Sequence, residues 1–207
     1  AAARKAGADE VAIFAAASEM FSQRNINCSI AESLARFAPV AAAARRDGIG
    51  LRGYVSCVTD CPYEGPVRPD AVAAVAGALG ELGCREVSLG DTIGQGTPER
   101  VSDMLEAVTA RVPAHLLAGH FHDTAGRALA NIEVALEHGL RVFDASCGGL
   151  GGCPFAPGAA GNVATEAVDE RLLALGFETG LDPDRLAAAA RFARGLRTSE
   201  RFAARES

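Results

Sequence analysis

The 207-residue sequence has a single lysine, Lys5, and it falls in a stretch read as a helix ahead of the first strand. A Schiff-base mechanism needs a lysine amine among the reacting groups, so that route is not expected of this chain. Nowhere does the sequence approach the roughly 18 to 20 uninterrupted apolar residues of a membrane span, and its first residues lack the basic, apolar and cleavable order of a secretory signal. It has no basic stripe: the net charge is −6 and the two signs are interspersed, which argues against a nucleic-acid or membrane-surface partner. Neither a GxGxxG turn nor a GxxxxGK loop ending in Ser or Thr follows any strand-like segment. The dinucleotide and Walker-type readings thereby lose their main support.

What is present is globular. With 49% hydrophobic and 22% charged residues, the chain can bury one sizeable core, and a single cytoplasmic domain spanning 1–207 is the expectation. Its six cysteines are Cys28, Cys57, Cys61, Cys84, Cys147 and Cys153. A chain this long and apolar has no need of disulfide staples, so they are read as reduced thiols. Cys57 and Cys61 stand four apart, but no second Cys or His pair is near enough in sequence to complete a zinc site. The Asn27-Cys28-Ser29 triplet is read as an accidental match to a glycosylation acceptor.

Short apolar or β-branched runs alternate with longer helical patterns. The strands predicted are 10–15, 50–56, 86–89, 116–122 and 141–145, with helices at about 30–47, 69–82, 97–112 and 126–138. Gly48, Gly83 and Gly139 fall just past three of these helices, as helix-ending glycines do. Strand, helix and parallel strand in repetition predict βα units. Polar residues gather after strand after strand: Ser18 and Glu19, Ser56 and Thr59, Asp91 and Thr92, then His120, His122 and Asp123. That convergence fits a (β/α)8 barrel, whose chemistry sits at the C-terminal strand ends. Five strands are visible and the chain opens on Ala1. The expectation is five C-terminal βα units, strands 4 to 8, followed by C-terminal helices, with about three units upstream. On that count the isolated chain has two open sheet edges and is expected to show no activity alone.

His120 and His122 stand two apart at a strand end, so both imidazoles face one side. Alone, such a pair is either two buried histidines satisfied by hydrogen bonds or two ligands of a metal ion. The residues that follow sharpen the second reading. His120-Phe-His-Asp-Thr124 is succeeded at the next strand end by Gly148-Gly-Leu-Gly-Gly-Cys153-Pro154 and then Asn162, a glycine loop carrying a thiol beside the pair.

Gly149-Leu-Gly-Gly-Cys-Pro-Phe-Ala156 resembles the active-site signature of the 3-hydroxy-3-methylglutaryl-CoA lyase family, in the pyruvate carboxyltransferase-like superfamily of metallolyase barrels. Asn25-Ile-Asn-Cys-Ser-Ile-Ala-Glu-Ser33, Arg52-Gly-Tyr-Val-Ser-Cys57, Cys61-Pro-Tyr-Glu-Gly65, Ser88-Leu-Gly-Asp-Thr-Ile-Gly94 and His120–Thr124 resemble further segments of it in the same order. The resemblance implies a divalent cation, Mg2+ or Mn2+, bound by His120, His122 and Asn162 together with an aspartate from the first barrel strand. That aspartate, its neighbouring arginine and a second-strand glutamate have no counterpart here. Cys147-Gly148 stands where the family more often has Val-Ala.

The resemblance implies cleavage of 3-hydroxy-3-methylglutaryl-CoA to acetyl-CoA and acetoacetate, the lyase step of leucine degradation and ketone-body formation, by a protein that is a homodimer when full length. Cys153 is the implied general acid. Asp91 is the candidate base, against a reading as a helix-capping acid, and Tyr54 is either a site contact or a core aromatic. Asn25, placed in the loop after the first strand, is an implied substrate contact, and Ser88, facing the same way as Gly90 by strand alternation, is read as a substrate contact lining the pocket. Other readings are a lyase for another 3-hydroxyacyl-CoA, a condensing synthase of the same superfamily, and an inactive open half-barrel.

Overall fold

The computed structural model describes residues 2–152 and 161–203. In chain order the elements are α1 (Ala2–Lys5), β1 (Glu10–Ala16), α2 (Glu19–Ile26), α3 (Ile30–Asp47), β2 (Gly50–Ser56), β3 (Asp60–Cys61), β4 (Gly65–Pro66), α4 (Pro69–Glu81), β5 (Glu86–Asp91), α5 (Pro98–Thr109), β6 (Leu117–Phe121), α6 (Ala128–Glu137), β7 (Val142–Asp144), α7 (Thr165–Ala174) and α8 (Pro183–Ala203). Five strands form one parallel sheet in the order β1-β2-β5-β6-β7, and β3 pairs with β4 in a small antiparallel hairpin. Sequential strands are therefore spatial neighbours, each joined to the next through a helix, as repeated βα units require.

Local chemistry explains where these helices start and stop. Ser29 and Glu32 form a reciprocal capping box at the head of α3, and Gly48 ends it in the left-handed conformation, a pairing that satisfies backbone groups the helix itself cannot. Gly83 and Gly139 also carry positive φ, at +96° and +90°. The outer sheet face is apolar: Leu51, Val55, Val87 and Leu89 pack against Val72, Leu79, Val101 and Leu105 of α4 and α5. Each such side chain contributes roughly 1.5–3 kcal/mol when fully buried. Gly53 lets the helical layer come close, since a Cβ there would lie 3.0 Å from Leu79 Cδ1 and 3.1 Å from Cys84 Sγ.

The sheet is curled. In a flat sheet, β2 and β7 would be separated by three spacings of about 4.8 Å, too far for direct side-chain contact. Yet Arg52 of β2 donates to Asp144 of β7 at 2.9 Å across the concave face. The curl leaves that face open at β1, where Phe14 is 54% exposed and Glu10 and Ala12 are also exposed. Among the described residues no helix is long and apolar enough to cross a membrane.

Candidate active site

Parallel register aligns the concave face in rows. Ala16, Ser56, Gly90, His120 and Asp144 are successive partners across the five strands, and Phe14, Tyr54, Ser88, Ala118 and Val142 form the next row toward the strand starts. Below them Ala12, Arg52 and Glu86 are aligned. Because side chains alternate faces along a strand, one face collects Arg52 and Tyr54, Glu86 and Ser88, and His120.

These groups meet in a charged network. Arg52 donates to Glu86 Oε1 at 2.7 Å, to Asp144 Oδ1 at 2.9 Å and to the Tyr54 hydroxyl, while Ser88 Oγ donates to Asp144 Oδ2 at 2.7 Å. The Tyr54 ring stacks on Phe14 with centroids 4.7 Å apart and presents an edge relation to His120 at 6.4 Å. Burial raises the Tyr54 pKa, with the Asp144 charge adding to the rise. Burial alone would raise the Asp144 carboxyl too, but His120, Ser88 and Arg52 outweigh it and hold the pKa down at about 2. Its charged form is thus stabilised by the fold. The sign follows: this stability is present above the unfolded value near 4 and is lost as pH falls toward 2. Asp144→Asn is expected to lower stability at pH 7 by roughly 2 kcal/mol, with the gap to the unaltered chain closing in urea titrations taken down to pH 3. A gap that stays constant across that range would disprove the attribution.

Just beyond lies the histidine pair. The His120 and His122 rings are 5.3 Å apart, tilted by 51°. Residue 122 forms an antiparallel bridge with Asn162, and the Val163 amide bonds to the Phe121 carbonyl at 3.2 Å, so the strand end and the chain after the glycine loop are laced together. The Asn162 amide nitrogen donates to the Leu150 carbonyl at 3.0 Å, which fixes the amide orientation and turns its oxygen away from that carbonyl. His122 Nδ1 is buried with no hydrogen-bond partner. Burial and the neighbouring His120 lower the His122 pKa, against the pull of the Thr92 backbone and Asn162; a neutral imidazole is the form that ligates metals. An orphaned buried nitrogen, a second imidazole and an oriented amide are a donor set that fits a divalent ion. They are only part of one, since no group of three or more His, Cys, Asp or Glu is placed to hold an ion among the described residues.

The other expected site residues are distributed unevenly. Ser88 lies in the network, fully buried. Asp91 does not reach it. Its carboxylate is fully buried and accepts from Thr59 Oγ1 at 2.8 Å and from the Gln95 and Gly96 amides at 3.3 and 2.9 Å. Strand alternation sends it to the opposite face from Ser88, where it ties down the loop ahead of α5. Burial raises its carboxyl pKa against the pull of those three hydrogen bonds. Asn25 is corrected in a different way: it sits exposed within α2, not in a loop. Ser18 caps that helix by accepting from the Phe21 amide, and Asn27 ends it at φ 52°. Cys153 lies outside the described residues. The loop base is nonetheless defined: a Cβ built on Gly161 would fall 1.6 Å from the Gly151 carbonyl oxygen, and one on Gly151 2.7 Å from the Asn162 amide nitrogen.

A model of the HMGL-like family matches residues 1–193. The chain belongs to that family. It is 56% identical over 186 residues to the hydroxymethylglutaryl-CoA lyase of Pseudomonas mevalonii, covering 90% of this chain and 62% of that one. It is 59% identical over 181 residues to the 3-hydroxy-3-isohexenylglutaryl-CoA/hydroxy-methylglutaryl-CoA lyase of Pseudomonas aeruginosa, covering 87% and 60%. Among solved structures, the HMG-CoA lyase of Brucella melitensis superimposes with a TM-score of 0.94 at 65% identity, over 95% of this chain and 70% of that one. The chain thus spans about three-fifths of the length of these curated relatives. The TIM-barrel architecture expected from the sequence is shown by this match, with the five-stranded curled sheet as part of such a barrel.

Within this HMGL-like framework, the sequence reading missed Arg52, Glu86 and Asp144 as site residues. Two of them carried a usable signal: Arg52 shares the face of Tyr54, and Glu86 that of Ser88, by strict alternation. Cys57 and Cys61, read from the sequence as reduced thiols, are free and buried. Cys57 has a left-handed backbone at φ 62°, and its amide is held by Thr92 Oγ1 at 2.7 Å.

Proposed function

We propose that this chain supplies the metal-ligand and acid half of a barrel that cleaves 3-hydroxy-3-methylglutaryl-CoA to acetyl-CoA and acetoacetate. The observation that carries the reading is the His120, His122 and Asn162 constellation at the C-terminal strand ends, with the His122 nitrogen buried and unpaired. His120 and His122 would hold Mg2+ or Mn2+ through ring nitrogens and Asn162 through its amide oxygen. Bound there, the ion would supply positive charge next to the substrate hydroxyl and so favour its deprotonation.

The chain's own residues do the rest. Ser88 and Tyr54 line the wall below the ligand pair, and Arg52 fixes the Tyr54 hydroxyl in place. The hydroxyl proton passes to a base, the role the sequence reading gives to Asp91; breaking the bond between C2 and C3 then leaves a ketone at C3 and the electron pair on C2 as a thioester enolate, and Cys153 delivers its thiol proton to that carbon. A thiol with a pKa near 8.5 is serviceable for that transfer. Cys153→Ser is expected to cut turnover by about two orders of magnitude or more with the urea midpoint unchanged. Near-normal turnover would move the role elsewhere, Cys147 being next in the loop.

The direct test joins residues 1–207 to the upstream part of the Pseudomonas mevalonii lyase and follows acetyl-CoA release with added Mn2+. No metal-dependent release from a folded chimera would overturn the proposal. A second reading is favoured by the Pseudomonas aeruginosa relative, whose name includes 3-hydroxy-3-isohexenylglutaryl-CoA: a larger 3-substituent accepted by the same machinery. A higher kcat/KM for the longer substrate in the same assay would select it.

A further inference from the structure

Among the described residues of the concave network, Asp144 is the carboxylate in contact with His120, and both of its oxygens are spoken for on one side. Arg52 donates to Oδ1 at 2.9 Å and Ser88 to Oδ2 at 2.7 Å. Oδ2 also stands 3.4 Å from Nδ1 of His120. That contact is close enough for charge attraction but not aligned as a hydrogen bond, and Nδ1 is buried with no other partner. The pairing is no accident of one flexible side chain. His120 and Asp144 are directly opposed in the β6–β7 register, so the sheet itself sets the distance. Arg52, arriving from β2, and Ser88, from β5, prevent the carboxylate from turning away.

We propose that Asp144 is a positioning residue that fixes the tautomer of His120. The carboxylate accepts a proton held on Nδ1, so Nε2 is left with its lone pair and is the nitrogen His120 presents as a ligand. A carboxylate behind an imidazole does this in general, fixing ring orientation and strengthening the ligand, and losing it costs about 10- to 100-fold in metal affinity. A small rotation of the ring about its Cβ–Cγ bond brings the 3.4 Å contact into line. Arg52 and Ser88 then act at one remove, since each fixes one oxygen of the carboxylate. This inference rests on His120 being a metal ligand, as proposed above.

The test separates the two. Long-range proton–nitrogen NMR of the imidazole rings in the full 207-residue chain, without metal, reads which nitrogen of His120 carries the proton, with His120→Gln providing the assignment. The Nδ1–H form is expected. Asp144→Asn should move the ring toward the Nε2–H form, because an amide can offer its NH2 to Nδ1, and should weaken Mn2+ binding by about tenfold or more. Should that variant fail to fold, the tautomer of the unaltered chain still decides: an Nε2–H ring overturns the proposal. So does a tautomer unmoved in a folded Asp144→Asn. Failure of the metal reading shows elsewhere, as Mn2+ binding unchanged in His120→Ala, while the tautomer result stands by itself.

Discussion

His122→Ala, in the chimera with the upstream part of the Pseudomonas mevalonii lyase, is expected to lose metal-dependent turnover by about three orders of magnitude. The size follows from what is removed. His122 is one of two imidazoles in the proposed ligand set, its ring is buried, and its Nδ1 has no partner within the protein. Charge stabilisation by a bound ion contributes several kcal/mol to such a step, and each 1.36 kcal/mol is about tenfold in rate. His120→Ala should behave alike. Calorimetric Mn2+ titration should show binding sharply weakened in both, with the far-UV spectrum preserved. Titration curves superimposable on that of the unaltered chimera would remove both residues from the ligand set.

The second large effect is on stability. Arg52 is 14% exposed at its side chain and is the shared partner of Glu86 and Asp144. Removing it by Arg52→Ala leaves two partly buried carboxylates facing each other across the concave face. Breaking such a pair by deleting one member costs about 3–5 kcal/mol, equivalent to a fall in melting temperature on the order of 10 °C for a chain of this size. Replacing all three residues by apolar ones of similar volume should cost much less, because no unpaired charge remains. A loss below about 1 kcal/mol for Arg52→Ala would place the network with ordinary exposed ion pairs.

The order of βα units was legible because apolar runs of strand length alternate with helical periodicity, and the end of α3 was readable from Gly48. The helix α2 was not. Only Met20, Phe21 and Ile26 of its eight residues are apolar, so no stripe announces it, and its signals are the Ser18 cap and the left-handed Asn27. The β3–β4 hairpin escaped because two-residue strands carry no period. At the site, the histidine pair and Asn162 were singled out by motif and are adjacent in space. Asp144 was not, because its partner Arg52 stands 92 residues earlier. Alternation tells which face a side chain takes. It does not tell which distant strand the curl will bring opposite.

The base of the glycine loop has a consequence for how variants combine. The Gly161 position has no room for a methyl group against the Gly151 carbonyl, and the next residue is Asn162, whose amide is anchored to Leu150 on the loop's other limb. Any side chain added at Gly161 must spread the two limbs, and in doing so it turns the amide and shifts the root of the segment leading to Cys153. One substitution would disturb the proposed ligand Asn162 and the proposed acid Cys153 at once. Gly161→Ala combined with Cys153→Ser should then cost far less than the product of the two separate losses, the signature of residues acting as a unit.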